Sequence, residues 1–407
     1  MKSPGLYLLL FTCVILSCKK ESSPAPTPAP LSPNLHINTG YDPYYFNIKT
    51  YELIISENGK VLLDTVTSTQ NKIVTDLTDS SSFVDVTVIH ADTSTGQFYV
   101  NSFLHVDPSH WVTILNRISY YSPINFPGGS NATLHYINAP ADQPYFVNTL
   151  APTSNPTTLG SGTIDVSYVR APGNYTYLLF PNTGLYHFYI PSGDQDTVDL
   201  AHVDTAVKFN FNLPPQITSR LTFLDGFMDT TDYDKYLLLY SNLEVSPAPY
   251  DLEYPKTIVK KFEFGGYFSY QNGENSSYYS FGDTVPTQVP YLDVSSCSFA
   301  STTNDNFSVQ FNNSQPSFYK TEWVAGKISI SVFSSPDITV QHALSFLQQQ
   351  KSILLKNQNL SGLKLQNFYF EQVAGFDYAG YLNYVFNPES LKKKLLRSAV
   401  GFGKIFP

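Results

Sequence analysis

Clustered loop carboxylates are the nearest this sequence comes to a recognisable chemistry. Asp194, Asp196 and Asp199 fall in and just after Gly193-Asp194-Gln195-Asp196-Thr197, and Asp229, Asp232 and Asp234 share a tyrosine-containing loop. Calcium takes about 6 to 8 oxygen ligands, which loops of this kind can supply. Solvated turn carboxylates are the plain alternative, because neither segment matches a defined ligand loop. A paired-carboxylate glycosidase needs two acids about 5 to 10 Å apart, and no spacing along the chain sets such a pair. The eight histidines are scattered: His36, His90, His105, His110, His135, His187, His202 and His342. His90 and His105 fall in or beside expected strands and could meet across a sheet, although neutral strand histidines with hydrogen-bonded rings are commoner than ligands. There is no H-E-x-x-H, G-x-S-x-G, P-loop, G-x-G-x-x-G, C-x-x-C or EF-hand loop, so no catalytic residue and no cofactor other than the calcium candidate is assigned. The chain reads as a non-enzyme.

Aromatic side chains are the other candidate recognition groups. Tyr41, Tyr44, Tyr45 and Phe46 form one cluster, and Tyr278, Tyr279 and Phe281 form another. An exposed tyrosine offers a large apolar plane with a polar tip, suited to a sugar ring or a protein partner; core packing is the competing use. Lys392, Lys393, Lys394 and Arg397 beside Leu391, Leu395 and Leu396 make a short basic face, read as the solvated side of a helix. Cys297 lies in a serine-rich, apolar-flanked setting without a cationic neighbour, the setting of a small buried filler rather than a reactive thiol.

The elements that must position these groups begin with an export segment. Met1-Lys2 is a short positive start, and Leu6 to Leu16 is an apolar run of secretory length, too short for the roughly 20 apolar residues that span a bilayer. The run ends in Ile15-Leu16-Ser17-Cys18, followed by Lys19-Lys20-Glu21. This resembles the lipobox of bacterial lipoproteins. The resemblance implies removal of residues 1–17 and lipidation of Cys18, and the charges behind the cysteine look like the surface-export signal of Bacteroidetes-type bacteria. Lipid chains would then anchor the protein to the outer membrane, since each buried methylene contributes about 0.8 kcal/mol and two or three chains hold firmly. Residues 18–33 form the tether. Ser22 to Pro33 carries five prolines in twelve residues and reads as an extended, semi-rigid spacer.

Composition sets the fold class. Only 14% of residues are charged, and 30 Tyr and 29 Phe stand against 2 Met, the bias of strands rather than helices. The expectation is a mainly β protein. A net charge of −9 argues against a partner whose phosphates need neutralising, so nucleic acid is excluded. Of three cysteines, Cys13 leaves with the signal segment and Cys18 carries lipid, so Cys297 has no disulfide partner in the mature chain.

Residues 34–119 read as an immunoglobulin- or fibronectin-like β-sandwich module. Its signals are the hairpin turn Glu57-Asn58-Gly59-Lys60, the alternating Val84, Val86 and Val88, and strands at Phe98 to Val106 and Trp111 to Leu115. A second β module is expected over 120–215, with Ile164, Val166 and Tyr168 alternating and a turn at Pro181-Asn182-Thr183-Gly184. The third region, 216–407, is larger and β-rich, with strands around Phe262 to Phe264, Tyr267 to Tyr270, Phe307 to Phe311 and Lys327 to Phe333. Val340, Ala343, Leu344 and Leu347 recur at helical spacing, predicting a helix near 337–355, and Asn387-Pro388-Glu389 predicts another over 388–397.

Taken together, these features describe a lipid-anchored envelope protein whose β modules display a binding or scaffolding surface, with the membrane, through the lipid, and a glycan or envelope protein as partners. The anchor followed by tandem β modules looks like the organisation of glycan-binding accessory lipoproteins of polysaccharide-uptake systems. The reading from a different class is a secreted hydrolase with residues from separated loops of the third region. It would require a perturbed acid or histidine beside a second polar group, whereas a flat aromatic platform would favour binding.

Overall fold

The computed structural model describes residues 34–38, 50–68, 72–76, 83–92, 94–107, 111–113, 128–150, 162–189, 196–211, 217–231, 233, 235–242, 251–304, 306–312, 315–341, 352–386 and 394–407. The protein is mainly β. From the first region come β1 (Asn34–Asn38), β2 (Thr50–Glu57), β3 (Lys60–Ser68), β4 (Lys72–Asp76), β5 (Val84–Ala91), β6 (Phe98–Val106) and β7 (Trp111–Thr113). The second supplies β8 (Ser130–Ile137), β9 (Phe146–Thr149), β10 (Thr163–Arg170), β11 (Thr176–Phe180), β12 (Leu185–Tyr189), β13 (Thr197–Asp199), β14 (Asp204–Thr205) and β15 (Val207–Phe209). The third begins with β16 (Ile217–Phe227), β17 (Leu237–Ser241), β18 (Leu252–Tyr254), β19 (Lys261–Tyr270), β20 (Glu274–Gly282), β21 (Cys297–Thr303) and β22 (Asn306–Phe311). It continues through β23 (Phe318–Ala325), β24 (Ile328–Ser334), β25 (Val340–Gln341), β26 (Lys364–Val373), helix α1 (Tyr378–Phe386) and β27 (Ser398–Ile405).

Turn chemistry builds the hairpins. Asn58 and Gly59 take φ of 49° and 79° between β2 and β3, and Asn272 and Gly273 take 70° and 71° between β19 and β20, the left-handed pair that tight hairpins demand. The Pro181 to Gly184 turn joins β11 to β12, with Gly184 at φ 74°.

A single sheet of twelve strands dominates, in the order β17-β16-β19-β20-β27-β26-β23-β24-β6-β5-β2-β3. Its pairings are antiparallel except for β6 and β24, which run parallel with Phe98 opposite Ile328 and Phe103 opposite Phe333. The region 34–119 therefore gives four strands to the sheet that also carries the third region, while β1, β4 and β7 form a separate three-stranded sheet. β5, whose Val84, Val86 and Val88 alternate with polar residues, is packed on both faces: the three valines enter one core, Ile89 another, and Thr87 is buried with its hydroxyl 2.9 Å from that of Ser102.

The second region folds into two small sheets, β10-β8-β13 and β14-β12-β11-β9, around Leu134, Tyr136, Val166, Leu178 and Phe180. The outer side of the second of these sheets packs on the large sheet, where Tyr177, Leu179 and Tyr186 meet Leu224, Leu239 and Phe264. Further along the same face, β21, β22 and the segment around Leu355 and Leu363 cover Trp323, Ile330, Phe368 and Phe402. Glu52, fully buried in β2, holds that segment down by accepting from Ser352 Oγ (2.7 Å), Ile353 N (2.6 Å) and Leu354 N (2.8 Å). The opposite face is covered at one end by α1, whose Tyr378 and Leu382 pack on Leu53, Val86 and Phe318.

Most of the two expected helices lies outside the described residues, and only their ends fall within them. Val340 and Gln341 lie in β25, because Gln341 is buried and bonds Thr321 (2.7 Å) and Ser334 (2.6 Å) while the backbone pairs with β22. Residues 342–351 and 387–393 lie outside the described residues, and 394–397 are not helical. The helix α1 was not anticipated. Asp377 caps it, accepting from Gly380 N at 2.8 Å.

Candidate binding surface

Strand alternation divides the large sheet into a packed face and a partly solvated one. In β24, Ile328, Ile330, Val332 and Ser334 are buried while Ser329, Ser331 and Phe333 are half-buried; in β23, Thr321 and Trp323 are buried while Lys320, Glu322 and Val324 are half-buried. This is how an antiparallel sheet behaves when one side meets a core and the other meets water. On the solvated side the register sets residues into rows across the strands. One row runs Tyr267, Ser277, Gly401, Glu371; a second runs Asn275, Gly403, Tyr369, Lys320, Phe333, Phe103; a third runs Asn367, Glu322, Ser331, Asn101. Ser329 faces Tyr99, which faces His90.

Two glycines keep the middle of this surface low. A Cβ at Gly401 would stand 2.3 Å from Tyr369 Oη and 2.4 Å from Ser277 Oγ, and one at Gly403 would stand 2.3 Å from Asn275 Oδ1. Tyr369 and Asn275 thus lie down across β27, where any side chain would lift them. Tyr369 Oη donates to Glu371 Oε1 at 3.0 Å and lies 3.1 Å from Ser277 Oγ. Burial, with the Glu371 charge, pushes that phenol well above its ordinary range, so it stays protonated.

Two of the charges here, Lys320 and Glu322, are matched to each other. Lys320 Nζ donates to Glu322 Oε1 at 2.5 Å, and Asn367 Nδ2 donates to Glu322 Oε2 at 2.6 Å. Burial alone would push the Glu322 carboxyl up, but these two donors and the Lys320 charge outweigh it and hold it below its ordinary value. At one end Tyr267 is 54% exposed. At the other, Tyr99 stacks on His90 with ring centroids 5.1 Å apart, and burial drives the His90 imidazole down to about 4, against a smaller upward pull from Asp92.

A pair of acids lies on the same face beyond Tyr279. Asp225 of β16 and Glu263 of β19 are direct cross-strand neighbours. Burial, and then the Glu263 charge, raise Asp225 well above the carboxylate range, with Lys394 acting the other way. Lys394 Nζ sits 2.9 and 2.7 Å from the two Glu263 oxygens and over the Phe227 ring, while Arg397 lies over Phe281. Tyr279 also bonds Glu263. The pair is a perturbed acid beside a second polar group, but the cations and rings that neutralise it also roof it over, and Asp225 is buried.

The residues singled out from sequence are placed elsewhere. Asp196 is consumed within the second region: Arg170 forms an ion pair with it, and Tyr168 (2.6 Å) and Tyr189 (3.1 Å) donate to Oδ1. Asp199 caps a short 3-10 turn through Ala201 N (2.9 Å) and accepts from Asn138 (2.9 Å). Asp229 closes a turn on Thr231. Among the described residues no group of three metal-ligating side chains is assembled; Asp194, Asp232 and Asp234 lie outside them, as do Cys18, Tyr41, Tyr44 and Tyr45. Tyr278 and Tyr279 face opposite sides of β20 and join two different cores, Tyr278 against Phe264 and Tyr279 beside Glu263, so they form no common platform. His90 and His105 do not meet; His105 ring-packs on Phe83. Cys297 is a buried filler whose thiol burial pushes up to about 12.

The residues of the solvated face went unremarked in the sequence. Their signal is the polar member of each alternating pair, Ser329 and Ser331 in Ile328 to Ser334 above all, yet only the register reveals that they are neighbours of Glu322 and Asn101. Comparison with family models and with curated proteins found no match for this chain. No helix among the described residues is long and apolar enough to cross a membrane.

Proposed function

We propose that the protein is a lipid-anchored, non-enzymatic binding protein of the bacterial outer envelope, held by Cys18 and the proline-rich tether, with the solvated face of the large sheet as its binding surface. The observation that carries the binding part is the alternation in β23 and β24, which lays Ser329, Ser331, Lys320 and Glu322 on the partly open side while their neighbours fill a core. A sheet of this breadth positions side chains rigidly, so little ordering is lost on association. The hydrolase reading, which looked to separated loops of the third region, has as its nearest candidate for a perturbed acid beside a second polar group the strand residues Asp225 and Glu263. Their closure under Lys394, Phe227 and Phe281 supports binding instead, since a general acid must reach its substrate.

The anchor is tested by intact mass of the protein extracted from membranes with detergent, together with protease shaving of whole cells. A mature chain beginning at Cys18 with added acyl mass, removed from the cell surface by protease, is the expected result. Cys18→Ala should move the protein to the soluble fraction. A variant that stays in the membrane fraction with wild-type mobility would sink the anchor.

A further inference from the structure

We infer that Lys394 and Glu263 condense into an intramolecular amide, a cross-link between strand β19 and the segment entering β27, with Asp225 as the proton donor. The bond that forms joins Nζ to Cδ and what leaves is water, so the step balances within the chain.

The geometry sets the reacting atoms in place. Lys394 Nζ lies 2.9 and 2.7 Å from the two oxygens of one carboxyl, which puts the nitrogen against the carboxyl carbon rather than beside a single oxygen. Of the described lysine–carboxylate pairs this one has the most enclosed acid: the Glu263 side chain is 12% exposed, where the others range from 18% to 74%. Asp225 stands directly across from Glu263, at the roughly 5 Å between Cβ atoms of such a pair, and burial keeps it protonated. The walls are aromatic. Nζ sits 5.7 Å from the centre of the Phe227 ring, Tyr233 meets Phe227 and Phe281 edge-on, and Arg397 covers Phe281.

In water a lysine and a carboxylate stay charged and do not react. In an enclosed apolar site the charges are costly, and passing one proton from Nζ to Glu263 leaves a neutral amine against a neutral acid. The Nζ lone pair then adds to Cδ. Asp225 and Tyr279, which already bonds Glu263, donate to the oxygen that becomes negative. Asp225 gives its proton to the departing hydroxyl and takes one from Nζ, so it ends as it began and water leaves. Two groups held in contact need no encounter, the advantage of intramolecular reactions. The closure that denies Asp225 and Glu263 an external substrate is what such a condensation requires.

The test is intact mass of the denatured full chain carrying Cys18→Ala, which removes the candidate lipid site. The parent should be lighter by one water than its sequence read from its observed N-terminus. Tryptic digestion should give Lys394-Leu395-Leu396-Arg397 branched through Lys394 to the peptide that begins at Phe262. Lys394→Arg keeps the charge, cannot condense, and should have full mass. Glu263→Gln should lose one ammonia in place of water, which requires the acyl group to be at 263, and Asp225→Asn should stay at full mass. Full mass in the parent, the same deficit in Lys394→Arg, or a branch at any other carboxyl overturns the inference; the first of these would leave Lys394 and Glu263 as an enclosed ion pair. Condensation of Asp225→Asn at the parent's rate would remove the proton donor's role.

Discussion

The residue with the least settled environment is Glu253. It is fully buried in β18, and neither carboxyl oxygen has a hydrogen-bond partner; the Tyr177 hydroxyl nearby is likewise unpartnered. Burial raises the carboxyl to about 7, offset in part by Lys208, its cross-strand neighbour. An acid raised from 4.5 to about 7 on folding holds its proton in the native state when the unfolded chain has lost it. Its contribution to stability is therefore complete below pH 4.5 and is lost as pH rises through about 7. His90 and His187 act in the opposite direction. Burial lowers both to about 4, so the native protein keeps them neutral while the unfolded chain takes up protons below about 6.5. These groups together place maximal stability near neutral pH. Glu253→Gln preserves the shape and removes the titration, so urea denaturation should show the variant gaining roughly 1–3 kcal/mol over the parent at pH 8 and little at pH 5. Parallel pH profiles for the two proteins above pH 6 would show that the carboxyl does not titrate there.

At the scale of elements, glycine placement decides whether the solvated face exists. Gly401→Val would force Tyr369 and Ser277 off β27 and should lower stability by about 1–3 kcal/mol, read as a fall in the urea midpoint without a change in slope. Gly282→Ala, where a Cβ meets nothing within 4 Å, is the matched control and should stay within about 0.5 kcal/mol. An equal loss in both would show that the clash with Tyr369 and Ser277 is not the cause, since replacing glycine by itself lowers the entropy of the unfolded chain and stabilises. The first hairpin was legible in the sequence because its determinant is local: Asn58-Gly59 tolerates the positive φ that a tight turn requires, as Asn272-Gly273 does between β19 and β20. Helix α1 was not, since its aromatic run Tyr378-Ala379-Gly380-Tyr381 carries strand propensity and only packing of Tyr378 and Leu382 on the sheet selects a helix. At the start of the expected 337–355 helix, Val340 and Gln341 are strand for the converse reason: the sheet satisfies both the side chain and the backbone of the buried Gln341, while Ala343, Leu344 and Leu347 lie outside the described residues. The surface residues belong to the same class. The alternation of Ser329 and Ser331 can be read locally, but their opposition to Glu322 and Asn101 is a matter of strand order.

For the whole molecule, the decisive contact is the parallel pairing of β6 with β24, which joins segments some 230 residues apart, Phe98 to Ile328, into one sheet. No local pattern encodes such a pairing, so the chain reads as successive modules although its first and third regions share cores. Val100 of β6 and Ile330 of β24 are direct register partners, both about 1% exposed, and both belong to the core around Trp323. If the sheet is one cooperative unit, truncating either side must destabilise the same transition. Val100→Ala should cost about 1–3 kcal/mol and Ile330→Ala about 2–5 kcal/mol, the cavity left by each being lined by the other region's side chains. Calorimetry should show both substitutions lowering one shared transition, and the double variant should depart from additivity by about 0.5 kcal/mol or more because the two sites touch. Separately folding regions would instead give two transitions, each moved by only one substitution, with additive costs. That outcome would mean that the β6–β24 seam is a docking contact between domains and that the solvated face of the sheet can be parted there.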